Sequence, residues 1–151
     1  MFTVSDCVFT NCNGGGASGN NNLGIAVTAS GNTVIDRCVF ANNSNAGTTR
    51  STTGMGVVRV SGGASVRNSL FKDNKAPFCS AIWVGANGHA ENCTVVGCLA
   101  SQTNSVDPDV GAVYAADATA SVVNVLTTGN TDGEDAAADA SGNGDSFDHC
   151  F

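Results

Sequence analysis

Apolar and polar residues along this chain repeat one short phrase: an apolar residue, two polar ones, a small inward residue, then a second inward position two residues further on. It is read in Val4-Ser-Asp-Cys7-Val-Phe9, Ile35-Asp-Arg-Cys38-Val-Phe40, Val66-Arg-Asn-Ser69-Leu-Phe71, Ala90-Glu-Asn-Cys93-Thr-Val95 and Val122-Val-Asn-Val125-Leu-Thr127. A sixth copy opens at Phe147-Asp-His-Cys150-Phe151 and stops. Counted between Cys7, Cys38, Ser69, Cys93, Val125 and Cys150, the steps are 31, 31, 24, 32 and 25 residues. Between these phrases runs a second recurring strand, seen at Gly24–Gly31, Gly56–Gly62, Ser80–Gly85 and Gly111–Ala115. Short β-rich runs separated by Gly, Asn and Ser turns, recurring at this period, predict a β-solenoid.

One such unit cannot bury its apolar residues alone. Stacked about 4.8 Å apart, each strand pairs with its copies above and below. Equivalent residues then form columns. Phe9, Phe40 and Phe71 make one inside the shaft; Cys7, Cys38, Ser69 and Cys93 make another. Cys12, Asn43, Asn74, Cys98 and Asn130 make a third at a turn, where Asn tolerates left-handed backbone and its amides bond along the stack. The expected fold is all-β: a right-handed parallel β-helix of about five coils, with residues 1–151 forming a single domain.

If Val27, Val58, Ile82 and Val113 point inward, together with Ala29, Val60, Val84 and Ala115, the residues between them point outward, because the strand period is two. Those residues are Thr28, Arg59, Trp83 and Tyr114. The single Trp and single Tyr thus fall on adjacent rungs, with Arg59 on the next, a face suited to a glycan or a protein partner and to an Arg59–Trp83 cation–π contact. The alternative is that a neighbouring loop covers them as a satellite core.

Phe40-Ala-Asn-Asn43 and Phe71-Lys-Asp-Asn74 resemble the FxxN motif of the chlamydial polymorphic outer-membrane proteins. The stretch from Phe71 to Trp83 is similar to that family's FxxN…GGAI arrangement, with Cys79-Ser80 where two glycines would stand. In the first coil Cys12 occupies the Asn place. The resemblance implies a right-handed β-helix, surface exposure and adhesion. The architecture is also similar to that of the pectate-lyase-like superfamily and many pectin-degrading enzymes, so fold alone does not select a function.

Composition narrows the classes. Six Lys and Arg face 13 Asp and Glu, a net charge of −7, which argues against a phosphate-backbone partner. No stretch approaches the roughly 20 apolar residues of a membrane span, and Met1–Asp6 lacks the basic region of a secretory signal. Seven cysteines suggest an oxidising compartment or a buried thiol ladder, and the odd number leaves at least one unpaired within the chain. Cys7 with Cys38 and Cys79 with Cys98 are the pairings open to a stacked fold, and free thiols are the alternative.

Other chemistry is sparse. Asp139, Asn143 and Asp145 resemble the first half of a calcium loop, with Cys150 where a bidentate Glu would complete it; a solvated acidic turn is the competing reading. Asp36, Arg37, Arg67 and Asn68 fall on outward positions of neighbouring coils, where a structural ion pair is the simpler expectation. His89 and His149 are isolated, and no carboxylate cluster of the kind polysaccharide lyases and hydrolases use emerges. Asn42 and Asn92 head glycosylation sequons on expected surface positions. Neither end carries a cap, so a fragment of a longer solenoid or a subunit stacking end to end is expected. These features favour an extracellular or cell-surface structural or adhesive module, a filament subunit among its forms, over a carbohydrate-active enzyme or a glycan-binding module.

Overall fold

The computed structural model describes residues 1–14, 26–45, 56–101, 111–133 and 136–151. It is a parallel β-solenoid of about four turns. The first coil comprises β1 (Phe2–Ser5), β2 (Val8–Thr10), β3 (Asn13–Gly14) and β4 (Val27–Ser30). The second repeats it as β5 (Thr33–Asp36), β6 (Val39–Ala41), β7 (Ser44–Asn45) and β8 (Val58–Ser61). The third is β9 (Ser65–Arg67), β10 (Leu70–Lys72), β11 (Lys75–Ala76) and β12 (Cys79–Val84); the fourth is β13 (His89–Glu91), β14 (Thr94–Val96), β15 (Leu99–Ala100) and β16 (Gly111–Ala115). A partial fifth follows in β17 (Ser121–Val123), β18 (Leu126–Thr128) and β19 (Ala140–Gly142), and β20 (Phe147–Asp148) adds one more rung to the first sheet.

Equivalent strands pair in parallel to make four sheets, ordered β1-β5-β9-β13-β17-β20, β2-β6-β10-β14-β18, β3-β7-β11-β15 and β4-β8-β12-β16-β19. The expected columns line up. Phe9 pairs with Phe40 and Phe40 with Phe71, their ring centroids 4.8 Å apart at each step and their planes within 6° and 11° of parallel. Ile35, Val66, Ala90 and Val122 line the first sheet's inner face, and all are fully buried.

Two single-residue bends turn each coil. Asp6, Arg37, Asn68, Asn92, Asn124 and His149 have φ between 51° and 55°, immediately before the column that begins with Cys7. Asn11, Asn42, Asp73, Gly97 and Gly129 have φ between 53° and 64°, immediately before the Asn column. Left-handed backbone is cheapest for Gly, Asn and Asp, which fill most of these places. Each bend reverses the alternation, so the next residue points inward. At the second bend, Asn43 Oδ1 accepts the Cys12 N–H at 3.0 Å, Asn74 Oδ1 accepts the Asn43 N–H at 3.0 Å, and Asn130 Oδ1 accepts the Cys98 N–H at 2.9 Å. Their Nδ2 groups donate to the carbonyls of Phe9, Phe40 and Val95. The buried amide oxygens thereby satisfy backbone N–H groups that the bend removes from the sheet ladders, while the Nδ2 groups tie the bend to the carbonyls of the adjoining strands.

Candidate functional site

The outer face of the fourth sheet carries the column expected from the strand period. Thr28 pairs with Arg59, Arg59 with Trp83, Trp83 with Tyr114, and Tyr114 with Ser141. The Arg59 guanidinium carbon lies 4.3 Å from the centroid of the Trp83 ring, so the expected cation–π contact is formed. Burial lowers the Arg59 pKa from its ordinary value.

The aromatics are not exposed, and here the open-face expectation is corrected. Trp83 retains 6% of its accessible surface and Tyr114 9%, while Thr28 is exposed. Both rings belong to a second apolar cluster outside the shaft, with Phe78, Cys79 and Ala100 buried and Ala116 packed against them. Phe78 meets Tyr114 edge-on, centroids 5.3 Å apart at 74°. The large ring that closes this satellite core comes from the two-residue connection Pro77-Phe78 between β11 and β12. Gly85 makes room for the indole: a Cβ there would lie 2.3 Å from Cζ3 of Trp83.

What remains open is a groove of about 370 Å³ beside this wall, lined by Arg59, Ser61, Trp83, Gly85, Ala116 and Asp117, with Ala86 at its edge. The floor is the neighbouring outward column of small residues, Ser61, Gly85 and Ala116. Asp117 accepts the Thr119 N–H at 2.8 Å and its hydroxyl at 2.6 Å, bonds that hold its carboxyl below the usual carboxylate range. The Arg59 guanidinium, the Ser61 hydroxyl and the ionised Asp117 carboxylate thus line one groove beside Gly85 and Ala116, donors and acceptors that suit a polyhydroxylated or polar chain. Asp117, Ser61, Gly85 and Phe78 escaped the sequence reading. The available signal was the bulky apolar residue in a very short connection.

The other sites fall as follows. Arg37 clamps Asp6 through two bonds of 2.8 and 2.9 Å and also bonds Asp36, which Arg67 reaches at 3.2 Å and Asn68 at 2.8 Å. The Asn68 amide, then the two guanidiniums, hold the buried Asp36 carboxyl below its ordinary range. This ladder laces three coils together along the bend.

Strand β19 stands between Asp139 and Asn143 of the calcium reading, and both residues are engaged in hydrogen bonds of the fold. Asp139 Oδ1 accepts from Asn130 Nδ2 at 2.7 Å, and Asn143 caps a short 3₁₀ turn by accepting the Asp145 N–H. Among the described residues no three His, Cys, Asp or Glu side chains converge as a metal site. His149 Nδ1 lies 2.6 Å from Asp148.

All seven cysteines are free thiols, so neither Cys7–Cys38 nor Cys79–Cys98 is bonded. Burial pushes Cys79 up to about 12 and Cys93 and Cys98 up to about 11. Asn42 and Asn92 both stand exposed at left-handed bends. No helix among the described residues is long and apolar enough to cross a membrane. Comparison of the chain with protein-family models, with curated proteins and with solved structures finds no match.

Proposed function

We propose that the chain is a structural and adhesive module of the cell exterior or cell surface, in which the solenoid is a rigid support and the outer face of its fourth sheet receives a glycan or protein partner. The observation that carries this reading is where the coils differ in length. From the third sheet to the fourth, 14 positions separate Asn13 from Val27, Ser44 from Val58 and Leu99 from Val113, but only seven separate Lys75 from Ile82. These residues are in register on both sides of the corner, so the long connections are added without disturbing the frame. Connections of variable length on a rigid scaffold are where binding surfaces are usually built. The long ones lead into β4, β8 and β16, which bear Thr28, Arg59 and Tyr114, and the short one into β12, which bears Trp83. The FxxN resemblance to chlamydial surface proteins supports the same reading.

Shortening the second-coil connection to the span of the third tests it. The variant is expected to keep its β-rich circular dichroism and to lose binding on a glycan array or cell surface, and Arg59→Ala is expected to weaken the same binding. An intact protein that binds no glycan and no surface would refute the proposal. Release of reducing or unsaturated sugars from acidic polysaccharides, lost on Trp83→Ala, would instead mark the groove as catalytic.

Assembly is a second reading, favoured by a separate observation. Among the described residues, the exposed large apolar side chains are Met1, Phe2 and Val8 on the first coil and Leu126 and Phe151 at the other end of the stack. Further coils of the solenoid or copies stacked face to face would cover them, and sedimentation velocity at rising concentration checks the stacking: a constant monomer value counts against it.

A further inference from the structure

The first bend sets one cysteine directly over another. Ser5 pairs with Asp36 and Val8 with Val39, so Cys7 and Cys38 occupy equivalent positions on adjacent rungs. Their side chains share one orientation: Cys7 Sγ donates to the Ser5 carbonyl at 3.1 Å, and Cys38 Sγ to the equivalent Asp36 carbonyl at 3.4 Å. The rung spacing on these two coils is given two residues further on, where the Phe9 and Phe40 rings stack at 4.8 Å. Sulfurs repeating at about that interval are too far apart for a bond of about 2.05 Å, in keeping with their free state. With the zinc–thiolate length of about 2.3 Å as the scale, two metal–sulfur bonds laid in line span roughly 4.6 Å, close to the rung spacing.

We propose that Cys7 and Cys38 form a two-coordinate thiolate site for a soft monovalent d¹⁰ cation of the copper(I) class, held in line between the stacked sulfurs. Thiolates select such ions over hard divalent ones. Each sulfur releases its proton to solvent as its bond to the ion forms. One M⁺ and two thiols therefore give an S–M–S unit of charge −1 and two protons, and neither metal nor sulfur changes oxidation state.

The pair is singular in the sequence. On the next rung the column continues with Ser69, whose hydroxyl donates to the Arg67 carbonyl at 2.7 Å as the thiols do to theirs. Cys93 stands between Ser69 and Val125, Cys150 follows Val125, and Cys12 and Cys98 have Asn neighbours in their own column. Ser69 also shows that serine is accepted at this position, so Cys7→Ser and Cys38→Ser are expected to fold.

The test uses the fully reduced chain under anaerobic conditions, titrated with copper(I) against a chromogenic copper(I) chelator and, separately, with silver(I). The expected result is one tightly held equivalent with an ultraviolet thiolate-to-metal charge-transfer band, lost in Cys7→Ser and in Cys38→Ser and kept in Cys93→Ser. Ser69→Cys, which completes a run of four cysteines, is expected to raise the stoichiometry above one. Binding that survives both Cys7→Ser and Cys38→Ser, or that disappears in Cys93→Ser, would overturn the proposal, with circular dichroism confirming that each variant is folded.

Discussion

Removing the Asn74 side chain tests the buried amide ladder at its centre. Asn74 Oδ1 accepts both the backbone N–H and the Nδ2 group of Asn43 at 3.0 Å, and its own Nδ2 donates to the Phe40 carbonyl at 2.9 Å. Asn43, Phe40 and Asn74 are all essentially fully buried, so water does not replace what is lost. Asn74→Ala therefore strands the buried Asn43 N–H and removes the amide bonds to the Phe40 carbonyl and to Asn43 Nδ2. At about 1–3 kcal/mol for the orphaned donor and about 0.5–1.5 kcal/mol for each of the two lost bonds, the loss is roughly 2–6 kcal/mol. Against a total stability of about 5–15 kcal/mol that is a large fraction, and at about 2–4 °C per kcal/mol the melting temperature should fall by roughly 4–24 °C. Urea unfolding monitored by circular dichroism measures it, and the m value should be unchanged because the same surface is exposed. A loss below about 1 kcal/mol would show that the bend does not depend on the ladder and would refute the reasoning.

Gly85→Ala places a methyl against the indole edge, so the emission of the single tryptophan should shift to the red and quenching by acrylamide should rise; unchanged fluorescence would argue that Trp83 does not rest on Gly85. Asp6 and Asp36 have folded-state pKa values lowered chiefly by Arg37 and Asn68 respectively. Their contribution is present above the unfolded carboxylate value near pH 4 and is lost as the pH falls through the lower folded values, so Asp36→Asn should flatten the acid limb of the stability profile measured between about pH 2 and 5. Iodoacetamide at pH 8 followed by peptide mass analysis should label the partly exposed Cys7, Cys12 and Cys150 well before the buried Cys79, Cys93 and Cys98; early labelling of Cys79 would contradict its burial and raised pKa.

The columns were legible because a solenoid writes its third dimension into its sequence: Phe9, Phe40 and Phe71 repeat where they stack. The same logic gave the register of Thr28, Arg59, Trp83 and Tyr114. Their burial was not legible, since a strand period of two fixes the direction of a side chain and says nothing about what lies over it. Phe78 supplies that cover at Tyr114 from a connection that belongs to no repeat. The left-handed bends were half visible. Asn68, Asn92 and Asn124 announce them, whereas Arg37 and His149 adopt the same backbone at positions where the neighbouring rungs carry Asp or Asn. Near the C-terminal end a strand followed by a turn places polar groups at the same alternate positions as a calcium loop, so spacing alone does not separate the two.

The seven-position and fourteen-position corners have a thermodynamic corollary. Doubling the length of a closed connection adds only about 0.6 kcal/mol of chain entropy cost, a small sum beside the pairing and packing that fix the strands on either side. Each rung is therefore a slot in which sequence can be inserted, exchanged or deleted almost without penalty. Connections at this corner can therefore change length while the aromatic and amide columns that hold the rungs together are left untouched.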